Sequence, residues 1–209
     1  MPGMSKIIED KKAPTADADL EYVVLCQKGD TESFSVLVGR HSKKMLNIAY
    51  RMLDDYDEAC DITQEAFLAA FRSISTFKAE AMFSTWLYRI VVNYAKNRLK
   101  QRQSLSRHES ASLDEMKEGQ GGCAACLAAV NGDHPEQLME RRELDAAVQQ
   151  CITALDGDYR EVVVLRDIQG FSYEEIRDIL RIPDGTVKSR LSRARLALKD
   201  CLKKVIGEL

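Results

Sequence analysis

Four groups of side chains in this 209-residue chain have types and spacings that could do chemistry. The first is Lys188, Ser189, Arg190, Ser192, Arg193 and Arg195, which follow Thr186 in one short stretch. An arginine can pair with a guanine edge through two hydrogen bonds, and a serine can meet a base or a phosphate. Flanking cations hold phosphates, which supply affinity without reading sequence. The second group is Trp86, Arg89, Asn93, Lys96 and Lys100. An amide, cations and an aromatic ring together suit DNA that is being unstacked, with amides at base edges, cations at phosphates and rings against exposed bases. The third is acidic: Asp61, Gln64 and Glu65 lie in a run, 54–71, that holds six carboxylates and no base, a face that could receive a basic helical partner. The fourth is Cys123-Ala-Ala-Cys126 with His134 eight residues on. It carries fragments of a zinc pattern, but a structural zinc needs four ligands and this spacing matches no standard set, so no metal is expected. No Gly-rich phosphate loop and no His-Glu-x-x-His occurs, and His41, His108 and His134 are scattered. The expectation is a binding protein, not an enzyme, with no cofactor and no small-molecule substrate.

The elements that must position these groups read as helices throughout, with no strand alternation and no internal repeat. Asp19 is placed to cap a helix bearing Leu20, Val23 and Val24, and Asp30 to cap the next, with Phe34, Leu37 and Val38 inward. Met45, Ile48, Ala49 and Met52 follow at helical spacing. Ala59, Ile62, Ala66, Phe67, Ala70, Phe71 and Ile74 form another i, i+3, i+4, i+7 stripe, from which Asp61, Gln64, Glu65 and Leu68 project away. After a loop at 75–82, Ser84 is placed to cap a helix running to about 101, with Leu87, Ile90, Val91 and Tyr94 buried. Near the end of the chain, Ser172 and Glu175 make a Ser-x-x-Glu capping box. Pro183 breaks that helix, and Asp184 is placed to cap a second. Val187, Leu191, Ala194 and Leu198 share one face of this second helix, which leaves Ser189, Ser192 and Arg193 opposite them. Helix, short turn and helix form the arrangement whose second member enters the major groove. An ordinary hairpin with a solvated basic face fits fewer of these features.

Net charge is −3, but it is unevenly spread. Residues 86–107 carry six cations and no acid, and residues 181–204 carry eight cations against two acids. Residues 104–135 are rich in Ser and Gly and poor in large apolar side chains, a composition that cannot bury a core. The expected layout is a disordered tail at 1–18, a helical module at 19–102, a flexible linker at 103–136 and a second helical module at 137–209. No apolar run approaches the roughly 20 residues that span a bilayer, and the start lacks the form of a signal peptide. A cytoplasmic protein without direct membrane insertion is expected, and its six cysteines are expected to be reduced.

Taken in order, several motifs resemble those of the extracytoplasmic-function sigma factors, closest to the sigma-E-like type. They are Gln27-Lys-Gly-Asp30 with Phe34, Leu37 and Arg40-His41; Asp61-Ile-Thr-Gln-Glu-Ala-Phe67; Phe83-Ser-Thr-Trp-Leu-Tyr-Arg-Ile90; Tyr159-Arg-Glu-Val162; Leu165-Arg-Asp167; Gly170-Phe-Ser-Tyr-Glu-Glu-Ile176; and Gly185-Thr-Val-Lys-Ser-Arg-Leu-Ser-Arg-Ala-Arg195. The resemblance implies an all-α chain of two domains, sigma region 2 and a region 4 helix-turn-helix. It implies that Asp61, Gln64, Glu65 and Phe67 dock on the clamp helices of the polymerase's largest subunit. It further implies that Trp86, Arg89, Asn93, Lys96, Asn97 and Lys100 act at the −10 element, with the loop at 75–82 capturing a flipped base. Thr186, Lys188, Ser189, Arg190, Ser192, Arg193 and Arg195 then face the −35 element. Arg177, where the family usually has Ala, is expected to touch a phosphate or to sit in water. Promoter DNA, core RNA polymerase and an anti-sigma protein are the implied partners. The competing reading is an autonomous helix-turn-helix regulator that binds DNA without polymerase.

Overall fold

A computed structural model describes residues 17–109 and 135–207. Among them are eight α-helices and no strand, in agreement with the all-helical expectation. The first module is built from α1 (Leu20–Gln27), α2 (Glu32–Leu53), α3 (Tyr56–Ser73) and α4 (Phe83–Glu109). Leu37, Met45, Ile48 and Met52 of α2 are buried against Ile62 of α3 and Leu87 and Val91 of α4. Ala49, Ala59, Ala66, Ala70 and Ala95 are all fully buried, and their short side chains let the three helices approach closely. Each large side chain so removed from water contributes about 1.5–3 kcal/mol.

The helix starts differ from the expected caps. Asp30 does accept the Glu32 and Ser33 amides and the Ser33 hydroxyl, so it closes the first turn of α2. Asp55 caps α3 by accepting the Glu58 amide at 2.9 Å. Asp19 makes no cap; its carboxylate takes the Arg40 guanidinium at 2.9 Å and the His41 ring at 2.7 Å instead. Ser84 does not start α4 either. Asp17 accepts the Phe83 amide at 2.6 Å, so the helix begins before Ser84 and is capped from a distant part of the chain. Asp17 and Ala18, expected in the disordered tail, are thus both bonded, Ala18 through its carbonyl to Arg40. Helix α4 also runs on to Glu109, and the next helix begins at Pro135, inside the stretch expected to be linker.

The second module comprises α5 (Pro135–Thr153), α6 (Gly157–Val163), a π-helical turn at Val164–Ile168, α7 (Tyr173–Leu180) and α8 (Asp184–Ile206). The capping box forms as expected, with Ser172 accepting the Glu175 amide and Glu175 accepting the Ser172 amide. Between α7 and α8, Arg181 takes a left-handed conformation at φ 55°. Pro183 occupies the N-cap of α8, so Asp184 is the first helical residue and not its cap. Val187, Leu191 and Ala194 are buried and Leu198 is half-buried, as the face analysis requires.

Two further departures concern cysteine and domain packing. Cys151 of α5 and Cys201 of α8 form a disulfide, against the expectation that all six cysteines are reduced. The two modules also pack together. Arg51 of α2 donates to Gln149 of α5 at 3.0 Å, Arg160 of α6 donates to the Met52 carbonyl at 2.7 Å, and Gln169 donates to Asn47 at 2.6 Å. Lys44 sits 3.9 Å from the centre of the Phe171 ring, and burial pushes its ammonium below the usual lysine range.

Candidate nucleic-acid interface

The exposed side of α8 forms because its buried stripe has a helical period. With Val187, Leu191 and Ala194 inward, Lys188, Ser189, Ser192 and Arg193 stand in solvent. Thr186, in the first turn, is half-buried. The remaining two cations of the set are held within the chain. Arg195 pairs with Asp167 through two nitrogens, at 3.0 and 2.5 Å, while Arg190 reaches Asp158 and Glu161 at 2.5 and 3.2 Å. These pairs tie α8 to α6 and the π-helical turn. Arg177 is exposed and bonds to its neighbour Asp178 at 2.9 Å, with Asp184 further off at 3.9 Å.

On α4, Asn93, Asn97 and Lys100 are exposed, whereas Trp86, Arg89 and Lys96 are half-buried. Trp86 packs against Phe77 and Phe83, with ring centres 5.2 and 5.6 Å away. Arg89 donates to the Asp178 carbonyl at 3.1 Å, and Lys96 meets Glu161 at 2.7 Å. Helix α4 therefore buries more than its expected stripe. Val92 and Ala95 are buried too, and Tyr88 lies against Phe171 of the second module.

Glu161 is a buried acid that joins the two candidate DNA faces, and no sequence motif singled it out for that place. Its side chain is 1% exposed, yet it pairs with Lys96 from the first module and Arg190 from the recognition helix. Burial pushes its carboxyl above the usual range, and the Lys96 ammonium pulls it part of the way back. The signal available in sequence was an acid directly before the apolar Val162–Val163–Val164 run. An ionisable side chain in such a place needs a partner.

Two clefts separate the modules. One, of about 710 Å³, is lined by Phe77, Lys78, Trp86, Arg89, Arg177 and Arg181. It joins the 75–82 loop to the second module, and its lining sets four cations against the carboxylates of Glu80 and Asp178. The other, of about 520 Å³, includes Lys96, Lys100, Arg160, Arg190 and Arg193, so cations from both candidate DNA faces converge there.

The acidic face is where the stripe placed it. Asp61, Gln64, Glu65 and Leu68 are exposed on α3. Phe67 is not part of that surface; it is buried, with its ring 6.4 Å from Phe34. Phe71, expected inward, is 41% exposed and extends the acidic face with an apolar edge. Cys123, Cys126 and His134 lie outside the described residues, as does most of the expected linker.

Sequence models of sigma-70 region 2 and sigma-70 region 4 match residues 37–105 and 145–198. The RNA polymerase sigma-H factor of Pseudomonas aeruginosa is 36% identical over 93% of this chain and 98% of its own length. The ECF RNA polymerase sigma-E factor of Escherichia coli K12 is 37% identical over 90% of this chain and 96% of its own. The ECF sigma factor SigW of Bacillus subtilis is 38% identical over 85% and 92%. Among solved structures, CnrH in complex with the cytosolic domain of CnrY superposes with a TM-score of 0.63 at 24% identity, covering 90% of this chain and 99% of that one. The sigma factor RpoE of Bartonella quintana, in complex with the anti-sigma factor NepR, gives a TM-score of 0.62 at 23% identity, covering 83% and 98%. Both share the helical fold described above.

Proposed function

This chain belongs to the extracytoplasmic-function sigma factors of RNA polymerase, and on that premise we propose which of its surfaces serve each partner. Its function is promoter recognition for the polymerase, and it acts by binding, without catalysis of its own. The exposed Asp61–Gln64–Glu65 face of α3, with Leu68 and Phe71 beside it, docks on the clamp helices of the largest core subunit. Phe67 supports that face from beneath. Asn93, Asn97 and Lys100 of α4 meet the −10 element first, and Arg89 and Lys96 join them once the modules separate. The aromatic and cationic cleft beside Trp86 receives an unpaired base. Lys188, Ser189, Ser192 and Arg193 read the −35 element, Thr186 and Arg190 approach the flanking backbone, and Arg177 and Arg195 lie at the rim of that surface.

The observation that carries this reading is the polarity of α8. Its inward side is closed by Val187, Leu191 and Ala194, while the outward Lys188, Ser189, Ser192 and Arg193 are polar or cationic and exposed. The Lys96–Glu161–Arg190 arrangement adds a condition, since one carboxylate holds a cation from each DNA face. In the closed form these cations are neutralised, and productive docking on promoter DNA draws the modules apart. An anti-sigma protein is the third partner, by analogy with the two solved complexes. No helix among the described residues is long and apolar enough to cross a membrane, and the site of action is the cytoplasm, beside the polymerase.

In-vitro transcription with core polymerase on a promoter library tests the proposal. With the chain present, a defined subset of promoters with shared −10 and −35 sequences should be transcribed. Tight, specific duplex binding by the chain alone, with no stimulation of core enzyme, would instead establish the autonomous regulator.

A further inference from the structure

We propose that Cys151 and Cys201 are a reversible thiol pair that staples the −35-reading module under oxidising conditions. The two residues face each other across α5 and α8 with Cα atoms 5.7 Å apart, inside the range a disulfide requires. They are 50 residues apart in sequence, and the loop they close contains α6, the π-helical turn, α7 and the outward face of α8. One bond therefore encloses the whole −35 reader.

The pair is asymmetric in a way that orders the reaction. Cys151 is fully buried, whereas Cys201 is half-exposed and lies one turn from a last turn that carries Lys203 and Lys204. A peroxide reaches Cys201 first: its thiolate attacks one peroxide oxygen, the O–O bond breaks, and a sulfenic acid and hydroxide result. The Cys151 thiol then attacks the sulfenic sulfur, the S–S bond forms, and water leaves. Two thiols lose two electrons to one hydrogen peroxide, giving one disulfide and two waters. A dithiol reductant reverses the bond through a mixed disulfide. The other described thiols are placed differently. Cys26 and Cys60 share the intermediate exposure of Cys201, but both are free, with no second described cysteine beside them to trap a sulfenic acid, and burial together with the Asp30 carboxylate pushes the Cys26 thiol up, away from the reactive thiolate.

The bond leaves the DNA face open. Cys201 sits fourteen residues beyond Val187, on the same side of α8 as Val187, Leu191 and Ala194, so the cross-link lies opposite Ser189, Ser192 and Arg193. Oxidation should accordingly stabilise the module without blocking its reader.

The full-length chain, purified under reductant, is the material for the test. After treatment with an equivalent of hydrogen peroxide, remaining thiols are alkylated and the peptides mapped. The expected product is a Cys151–Cys201 cross-linked peptide, with Cys26 and Cys60 still alkylated. The thermal midpoint of the oxidised chain should lie at least about 5 °C above that of the reduced chain. Cys201→Ser should match the reduced wild type in stability and show no response to peroxide. Because that position is half-exposed, the variant is the one to rely on if Cys151→Ser fails to fold. Full alkylation of both cysteines after peroxide treatment in a folded chain would overturn the proposal. So would a cross-link that leaves the thermal midpoint unmoved. Neither result bears on promoter recognition by the reduced chain, which the transcription assay tests separately.

Discussion

Arg193 is the residue on which we propose that −35 specificity turns. Its neighbours Arg190 and Arg195 are drawn into ion pairs with Asp158, Glu161 and Asp167, while Arg193 stands exposed on the outward side of α8. Arg193→Ala in the reconstituted holoenzyme should lower affinity for the preferred −35 sequence by about 1–3 kcal/mol and relax discrimination at one base pair. A fluorescence titration against matched and mutated promoters measures it, and an equal loss on every sequence would reduce Arg193 to a phosphate contact. At the start of α2, the Ser33 hydroxyl and nearby amides hold the Asp30 carboxyl below the usual carboxylate range. A depressed carboxylate contributes stability above its unfolded value, and that contribution disappears as pH falls through the folded value. Protection of the Glu32 and Ser33 amides, measured relative to the intrinsic exchange rate at each pH, should fall on acidification into and below the ordinary carboxylate range. Asp30→Asn, which cannot ionise, should flatten that pH dependence.

Among the elements, α7 and α8 were the most legible in sequence, because cap, break and stripe are local signals. Ser172→Ala removes the hydroxyl that accepts the Glu175 amide, and it should cost about 1 kcal/mol, read as a lower denaturant midpoint at unchanged slope. Ser172→Asp, which keeps an acceptor at the N-cap, should recover most of the loss. Asp30 closes the start of α2 as expected, but for α1, α4 and α8 the local signals pointed to real helices and to the wrong capping groups. Asp19 has the ideal residue type for a cap, yet a buried imidazole and a guanidinium compete for its carboxylate and win it. The true partner of the α4 start is Asp17, 66 residues away, and no window along the chain can contain both. The width of the buried face on α4 was hidden for the same reason. Tyr88 looks surplus to a single stripe until Phe171 of the second module is laid over it. The Cys151–Cys201 pair belongs with these, since each cysteine alone reads as a small core residue.

At the scale of the whole molecule, the two basic patches were visible as composition, but not the single Glu161 carboxylate that holds one cation from each of them. Glu161 is almost fully buried, whereas the Lys96 and Arg190 side chains that reach it are 31% and 24% exposed. Salt screens a buried carboxylate weakly, so the closure should persist at ionic strengths that dissolve surface pairs. Removing the charge while keeping the shape isolates its role. In Glu161→Gln, both cations lose their counter-charge and the closed arrangement loses its central tie. A bias of about 1.4 kcal/mol toward the open form corresponds to a tenfold change in the population that can grip DNA. The free Glu161→Gln chain should therefore bind a promoter duplex about tenfold more tightly than wild type, and small-angle scattering should report a larger radius of gyration. Transcription by saturating holoenzyme should change little, because at saturation the proposed docking on promoter DNA draws the modules apart with or without Glu161. An unaltered radius together with unaltered duplex affinity would mean that the Arg51–Gln149, Arg160–Met52 and Gln169–Asn47 contacts close the molecule without Glu161.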